Sequence, residues 1–296
     1  MDYNDNNARG AHTIEYFNQY EYTINNGETR IPICICVDTS GSMNNLLNPL
    51  DQLERTSDDY MKDGQVVYHV RVKPGFKTIT CLSRLQEVLC KMLSDMKRDD
   101  IISKSAVICI ITFDQFADCY VEFTDINMID VNVPNRIIKG KDQTNVSRGI
   151  RMSLDRIDQQ IVMNSNAGND SYKPVLIIMS DGYPTDGEEA EKAKELVRQR
   201  SEDNKLNVIP IFIGNDNSDG LNWLKGLSRK SIAYRMKDSQ DFEDVFAEIK
   251  ERIHRTATVV SADEDENICD AVSEDVDSSN YGTVPQISDL EDFLKI

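Results

Sequence analysis

Four uninterrupted apolar, β-branched runs set the limits on what this chain can fold into: Ile31–Val37, Ala106–Phe113, Val175–Met179 and Val208–Ile213. A strand with one face in water alternates apolar and polar residues. A run without alternation is buried on both faces, as in a parallel sheet covered by helices on each side. The intervals supply those helices. Leu85, Val88, Leu89, Met92, Leu93 and Met96 form one apolar stripe at helical spacing, and Val146, Ile150, Leu154, Ile157 and Ile161 form a second. Glu188–Arg200 begins acidic and turns basic, as a helix macrodipole favours. Leu221–Leu227 reads as a short helix, Ile232–Met236 as a weaker strand, and Phe242, Val245, Phe246, Ile249 and Ile253 as a last helical stripe. Strand and helix alternating from Ile31 to His254 predict a doubly wound α/β domain with a mostly parallel central sheet. In such sheets ligands bind beyond the carboxyl ends of the strands.

Two of the runs end at that position in an aspartate. The first continues as Asp38-Thr39-Ser40-Gly41-Ser42, which places one carboxylate and two hydroxyls at a strand mouth. These hard oxygen ligands suit a magnesium-type cation better than zinc. The competing reading is a strand-to-loop turn whose polar side chains satisfy backbone groups. The third run ends in Ser180-Asp181-Gly182-Tyr183-Pro184-Thr185-Asp186. A turn explains its glycine and proline, but not an aspartate at the strand tip. Between them, Thr144 precedes the helix that begins at Val146, where it serves either as an N-cap or as a further hydroxyl ligand.

The Asp-x-Ser-x-Ser pattern at Asp38, Ser40 and Ser42 resembles the metal-ion-dependent adhesion site (MIDAS) of von Willebrand factor A (VWA) domains. Ser180-Asp181-Gly182 is similar to the family's third metal loop. The approach to Thr144 is similar to its second, with Asp142-Gln143 standing where a glycine pair is usual. The resemblance spans Thr29 to His254 and implies helices on both faces of the sheet, with one antiparallel edge strand near Asp118–Phe123. It implies that Ser40, Ser42 and Thr144 contact Mg2+ (or Mn2+ or Ca2+) through hydroxyls, with Asp38 and Asp181 acting mainly through bound waters. An acidic side chain of a protein partner would complete the coordination. The compact Asp181–Asp186 loop most resembles the bacterial cytoplasmic VWA proteins of tellurium-resistance, stress-response and phage-defence gene clusters. That subgroup implies a Ser/Thr kinase-like protein and a protein phosphatase as partners.

Other classes fit less well. The chain has no Gly-x-x-x-x-Gly-Lys-Ser/Thr phosphate loop, and His12, His69 and His254 lie in no catalytic motif. The expectation is therefore a binding module and not an enzyme. The alternatives are a metal-dependent hydrolase or phosphatase, in which the ion activates water, and a VWA targeting subunit of an AAA+ ATPase.

Net charge is −18, of which −10 falls in residues 257–296, with eleven acidic residues and one lysine. No segment offers the basic face that nucleic-acid binding needs. No stretch approaches the about 20 apolar residues of a membrane span. Met1–Glu28 lacks the charged and apolar regions of a secretion signal, and the seven cysteines show no CxxC spacing, so a reducing, cytoplasmic setting is expected. Residues 1–28 read as an irregular lead-in and residues 29–255 as the VWA domain. Within it, Val66–Val72 and Phe76–Cys81 around Lys73-Pro74-Gly75 read as a β-hairpin inserted at about residues 61–80. Residues 256–296 read as an acidic, disordered tail. At its end, Ile287, Leu290, Phe293 and Leu294 recur at helical spacing, as a short helix that docks on a partner or packs back on its own domain.

Overall fold

The computed structural model describes residues 29–254, except 57–59, 63–64, 68, 141–142, 215–217, 237–240, 242–244, 248 and 252. The expected lead-in (1–28), the acidic tail (256–296) with its terminal helix, and Asp142 lie outside the described residues. β1 (Ile31–Asp38) is central in a six-stranded sheet. β6 (Ala106–Phe113) and then β7 (Ala117–Asp125) lie on one side of it. β8 (Val175–Ser180), β9 (Asn207–Ile213) and β10 (Tyr234–Met236) lie on the other. Every pairing is parallel except that of β7 with β6. The expected doubly wound sheet with one antiparallel edge strand is therefore present.

All eight residues of β1 are buried, and its period of two divides them between two cores. Ile31, Ile33, Ile35 and Val37 face the core that includes the apolar stripe of α1 (Cys81–Arg98) together with Val245, Phe246, Ile249 and Ile253. Cys34 and Cys36 face the opposite core, beneath α3 (Val146–Asn166), α4 (Glu188–Glu202) and α5 (Ser218–Lys225). The cysteines here act as small buried apolar side chains. Gly149 lets α3 approach the sheet closely, since a Cβ there would lie 2.7 Å from the Phe113 ring and 2.9 Å from Cys36 Sγ. Among the described residues no helix is long and apolar enough to cross a membrane.

The insertion differs from its expected form. β5 (Val70–Val72) pairs antiparallel with β2 (Leu53–Arg55), and β3 (Tyr60–Lys62) pairs with β4 (Gln65–Val67). Lys73–Phe76 does turn, closed by a hydrogen bond from the Phe76 amide to the Lys73 carbonyl. The chain after it does not fold back on Val66–Val72. It runs against residues 45–48 instead, with Leu46 bridged to Thr80 and the Leu47 amide bonded to the Ile79 carbonyl. Buried Asn48 fixes this choice. Its side chain donates to the Lys77 carbonyl and accepts from the Ile79 amide, both at 2.8 Å. The chain thus re-enters α1 beside the β1 loop, and a capping box between Thr80 and Ser83 starts the helix there.

Candidate metal centre

Parallel register builds the site. Val37 pairs with Met179, so the next residues, Asp38 and Ser180, come to the carboxyl end of the sheet side by side. The Ser180 hydroxyl donates to Asp38 Oδ2 at 2.6 Å, and the Ser40 amide donates to Asp38 Oδ1 at 2.8 Å. Ser42 is the second residue of a 3-10 turn, Gly41–Asn44, and its hydroxyl donates to Asp181 Oδ1 at 2.7 Å. The Ser40 and Ser42 hydroxyls share a hydrogen bond of 3.0 Å. Asp38, Ser40, Ser42 and Asp181 therefore form one continuous polar cluster, drawn from two strand ends 139 or more residues apart in the chain.

Burial makes this cluster unusual. Asp38 and Ser40 have no exposed surface and Asp181 is 7% exposed. Burial, with the Asp181 charge beside it, pushes the Asp38 carboxyl up to about 7. Burial also raises Asp181, against hydrogen bonds from Ser42 and Cys81 that pull it back. Two carboxylates held together out of water repel each other, and each loses hydration that its hydroxyl partners only partly replace. Asp181 Oδ2 is buried with no hydrogen-bond partner. An orphaned carboxylate oxygen beside hydroxyls is the environment a hard divalent cation satisfies, so the donor set fits Mg2+, Mn2+ or Ca2+. Among the described residues no group of three His, Cys, Asp or Glu side chains gathers in metal-binding range, so hydroxyls are an essential part of the set.

Thr144 is placed differently from its capping expectation. The N-cap of α3 is Asn145, which makes no side-chain capping bond. The cap comes from the third loop, where Asp186 accepts the Ser147 amide at 2.9 Å. Thr144 is buried and joined to that same loop in both directions. Its amide donates to Thr185 Oγ1 at 2.9 Å, and its carbonyl accepts the Thr185 amide at 3.0 Å. The second and third loops are thus tied together by two hydrogen bonds, while Thr144 lies outside the hydroxyl–carboxylate network that links Asp38 and Asp181.

Further contacts lock the face. Thr39, a spacer in the motif, donates to the Phe113 carbonyl through both its amide and its hydroxyl, and its carbonyl accepts the Gly140 amide at 2.7 Å. A Cβ on Gly220 in α5 would lie 2.8 Å from the Gly182 carbonyl carbon, so α5 abuts the Asp181 loop backbone to backbone.

Sequence reasoning did not single out Ser180, Asp186 or Cys81 for this site. Ser180 could have been found by counting both strands to the same end of a parallel pair. Cys81 could not, because only the path of the insertion brings the start of α1 under Asp181. Its thiol is pushed up to about 12 by burial and by Asp181, so it stays protonated beside that carboxylate.

No family model matches the chain, and no curated protein matches it in sequence. Its fold is similar to that of the PilB minor pilin from Streptococcus sanguinis, with 13% identity and a TM-score of 0.54 over 80% of this chain. The chain spans 64% of the length of that pilin. It is also similar to the vWF domain of the type V pili tip protein Mfa5 from Porphyromonas gingivalis. There the identity is 10% and the TM-score 0.50, over 76% of this chain and 97% of that one. At these identities the likeness is one of fold, and the fold is VWA-like.

Proposed function

We propose that this chain is a protein-interaction module of VWA type, with a divalent cation at the Asp38–Asp181 cluster completed by an acidic side chain of its partner. The observation that carries this reading is the orphaned, buried Asp181 Oδ2 beside a second buried carboxylate and two hydroxyls. A bound Mg2+ would supply a fixed positive charge with an open position for an incoming carboxylate. The chain's own residues do the rest. Asp38 and Asp181 balance the charge, Ser40, Ser42 and Thr144 offer neutral oxygens, and Ser180 orients Asp38.

Binding is favoured over catalysis because this reading assigns both carboxylates of the cluster to the cation, which leaves no further carboxylate of the cluster to act as a general base. His254 bonds to Asp99 just beyond the far end of α1 from the site. The narrower assignment, to the bacterial cytoplasmic stress-response group with kinase-like and phosphatase partners, rests on the resemblance of the Asp181–Asp186 loop.

The test is capture of partners by the full chain and by Asp38→Ala, each in magnesium and in chelator. Metal-sensitive capture of one protein, lost in the variant, supports the reading. Equal capture under all four conditions sinks it. Magnesium-dependent turnover of a generic phosphoester, abolished in Asp38→Ala, would favour the hydrolase instead.

A further inference from the structure

The face around the cluster is apolar where water should be. Tyr183 is 52% exposed on the Asp181 loop, Phe116 is 50% exposed on the β6–β7 turn, and Ile138 is 80% exposed on the loop that reaches Thr39 through Gly140. Two exposed cations stand among them, Lys139 beside Ile138, and Arg148, whose guanidinium lies 5.7 Å from the Phe116 ring centre. Exposed apolar and basic side chains on the loops at the same end of the sheet as the cluster suit a ligand in which carboxylates alternate with large apolar residues. This chain contains such a segment in Ile287-Ser288-Asp289-Leu290-Glu291-Asp292-Phe293-Leu294-Lys295-Ile296.

We infer that residues 287–296 dock in cis on this face, with a carboxylate from Asp289, Glu291 or Asp292 at the cation and Leu290, Phe293 and Leu294 against the apolar rim. The inference rests on the metal-site reading above and names the first occupant of that site as the chain itself. A partner then binds by displacing it.

Reach and concentration support the cis arrangement. The described chain ends at His254, whose ring bonds Asp99 just past the C-terminus of α1, whereas Cys81, the first residue of α1, lies beside Asp181 with its amide bonded to the Asn45 carbonyl. The exit point and the site are therefore separated by the 18 residues of α1, about 27 Å at 1.5 Å per residue. From His254 to Asp289 is 35 residues. Thirty-five residues are long enough to bridge that distance, since a chain reaches up to about 3.3 Å per residue. A tether long enough to span the sites makes docking intramolecular, at an effective concentration that reaches up to millimolar order. A contact worth only about −4 kcal/mol is then half occupied, which a second copy at micromolar concentration does not approach.

The experiment uses the full chain, isotope-labelled, with Mn2+ as the probe. Paramagnetic broadening of the 38–42 and 180–183 amides reports the site, and broadening of the 287–296 amides reports docking. The expected result is strong broadening of 287–296, weaker broadening of 261–280, and no dependence on protein concentration. Combined Asp289→Asn, Glu291→Gln and Asp292→Asn substitutions should abolish the 287–296 effect. They should also weaken Mn2+ binding about tenfold, the equivalent of 1.4 kcal/mol for one lost charged contact. Broadening at the loops without broadening at 287–296 overturns the docking proposal and leaves the metal site standing. Broadening that grows with protein concentration also overturns it, in favour of a second copy. Absence of broadening at the loops overturns both readings together.

Discussion

Replacing Asp38 by asparagine should stabilise the metal-free protein while abolishing its response to magnesium. Asp38 has no exposed surface, and its carboxyl is raised from an ordinary 3.8 to about 7 by burial and by Asp181. A carboxyl raised this far binds its proton more tightly in the folded state. The metal-free fold therefore loses stability as pH rises from about 4 to about 7, and the full penalty applies above 7. At about 1.4 kcal/mol per unit, that penalty is of order 4 kcal/mol. Asparagine removes the charge and keeps an oxygen for the Ser40 amide. It forces the Ser180 hydroxyl to turn from donor to acceptor, which costs about 1 kcal/mol.

The net gain is roughly 2–3 kcal/mol at pH 8, or about 5–10 °C in Tm for a domain of this size. At pH 5 most of the penalty is already relieved, and the gain falls below about 1 kcal/mol. Magnesium at a hundredfold its Kd should raise wild-type stability by about 2.7 kcal/mol and leave the variant unchanged. Thermal melts of both proteins at pH 5 and pH 8, in chelator and in magnesium, give all the comparisons. A variant that melts below wild type in chelator at pH 8, or that keeps the wild-type magnesium shift, refutes the reasoning.

Three further outcomes are expected. Gly220→Ala drives a Cβ into the Gly182 backbone, so urea unfolding should show a loss of about 1–3 kcal/mol, and the magnesium-induced Tm shift should shrink as the Asp181 loop moves. Asp186→Ala removes the acceptor of the Ser147 amide and should cost about 0.5–2 kcal/mol by denaturant midpoint, with Asp186→Asn recovering most of it. Asp99 has the opposite pH sign to Asp38. Against the upward push of burial, hydrogen bonds from Lys250, the Ile102 amide and His254 hold its carboxyl well below the usual range. Its stabilisation is thus fully present above the ordinary carboxylate pKa and lost only as pH falls on through its much lower folded value, so Asp99→Asn should lower Tm at pH 7 and still lower it, by somewhat less, at pH 3.

The strands were legible because a run buried on both faces carries no other pattern, and the core helices because their stripes match the helical repeat. The site was legible in part, since Asp38 and Asp181 interrupt apolar runs at the strand tips. The inserted segment was misread at its turn. Alternating residues signal an extended backbone but carry no record of which strand it joins. Asn48, 25 residues before Lys73 at the start of that turn, selects the partner through its side chain. The alternative reading of Thr144, as a helix cap in place of a ligand, fails for a related reason, because any buried acceptor can cap a helix and the one that arrives here is Asp186 from another loop.

The sequence by itself determined the local and periodic features: a parallel sheet with helices on both faces, aspartates at two strand ends, and a chain whose negative charge is concentrated after residue 256. Tertiary structure alone decided what those aspartates experience. Register sets Ser180 against Asp38, the return of the insertion brings Cys81 beneath Asp181, and α5 presses on the loop at Gly182. Each is a contact between residues far apart in the chain, and it is their combined exclusion of water that raises two ordinary carboxyls above their usual range.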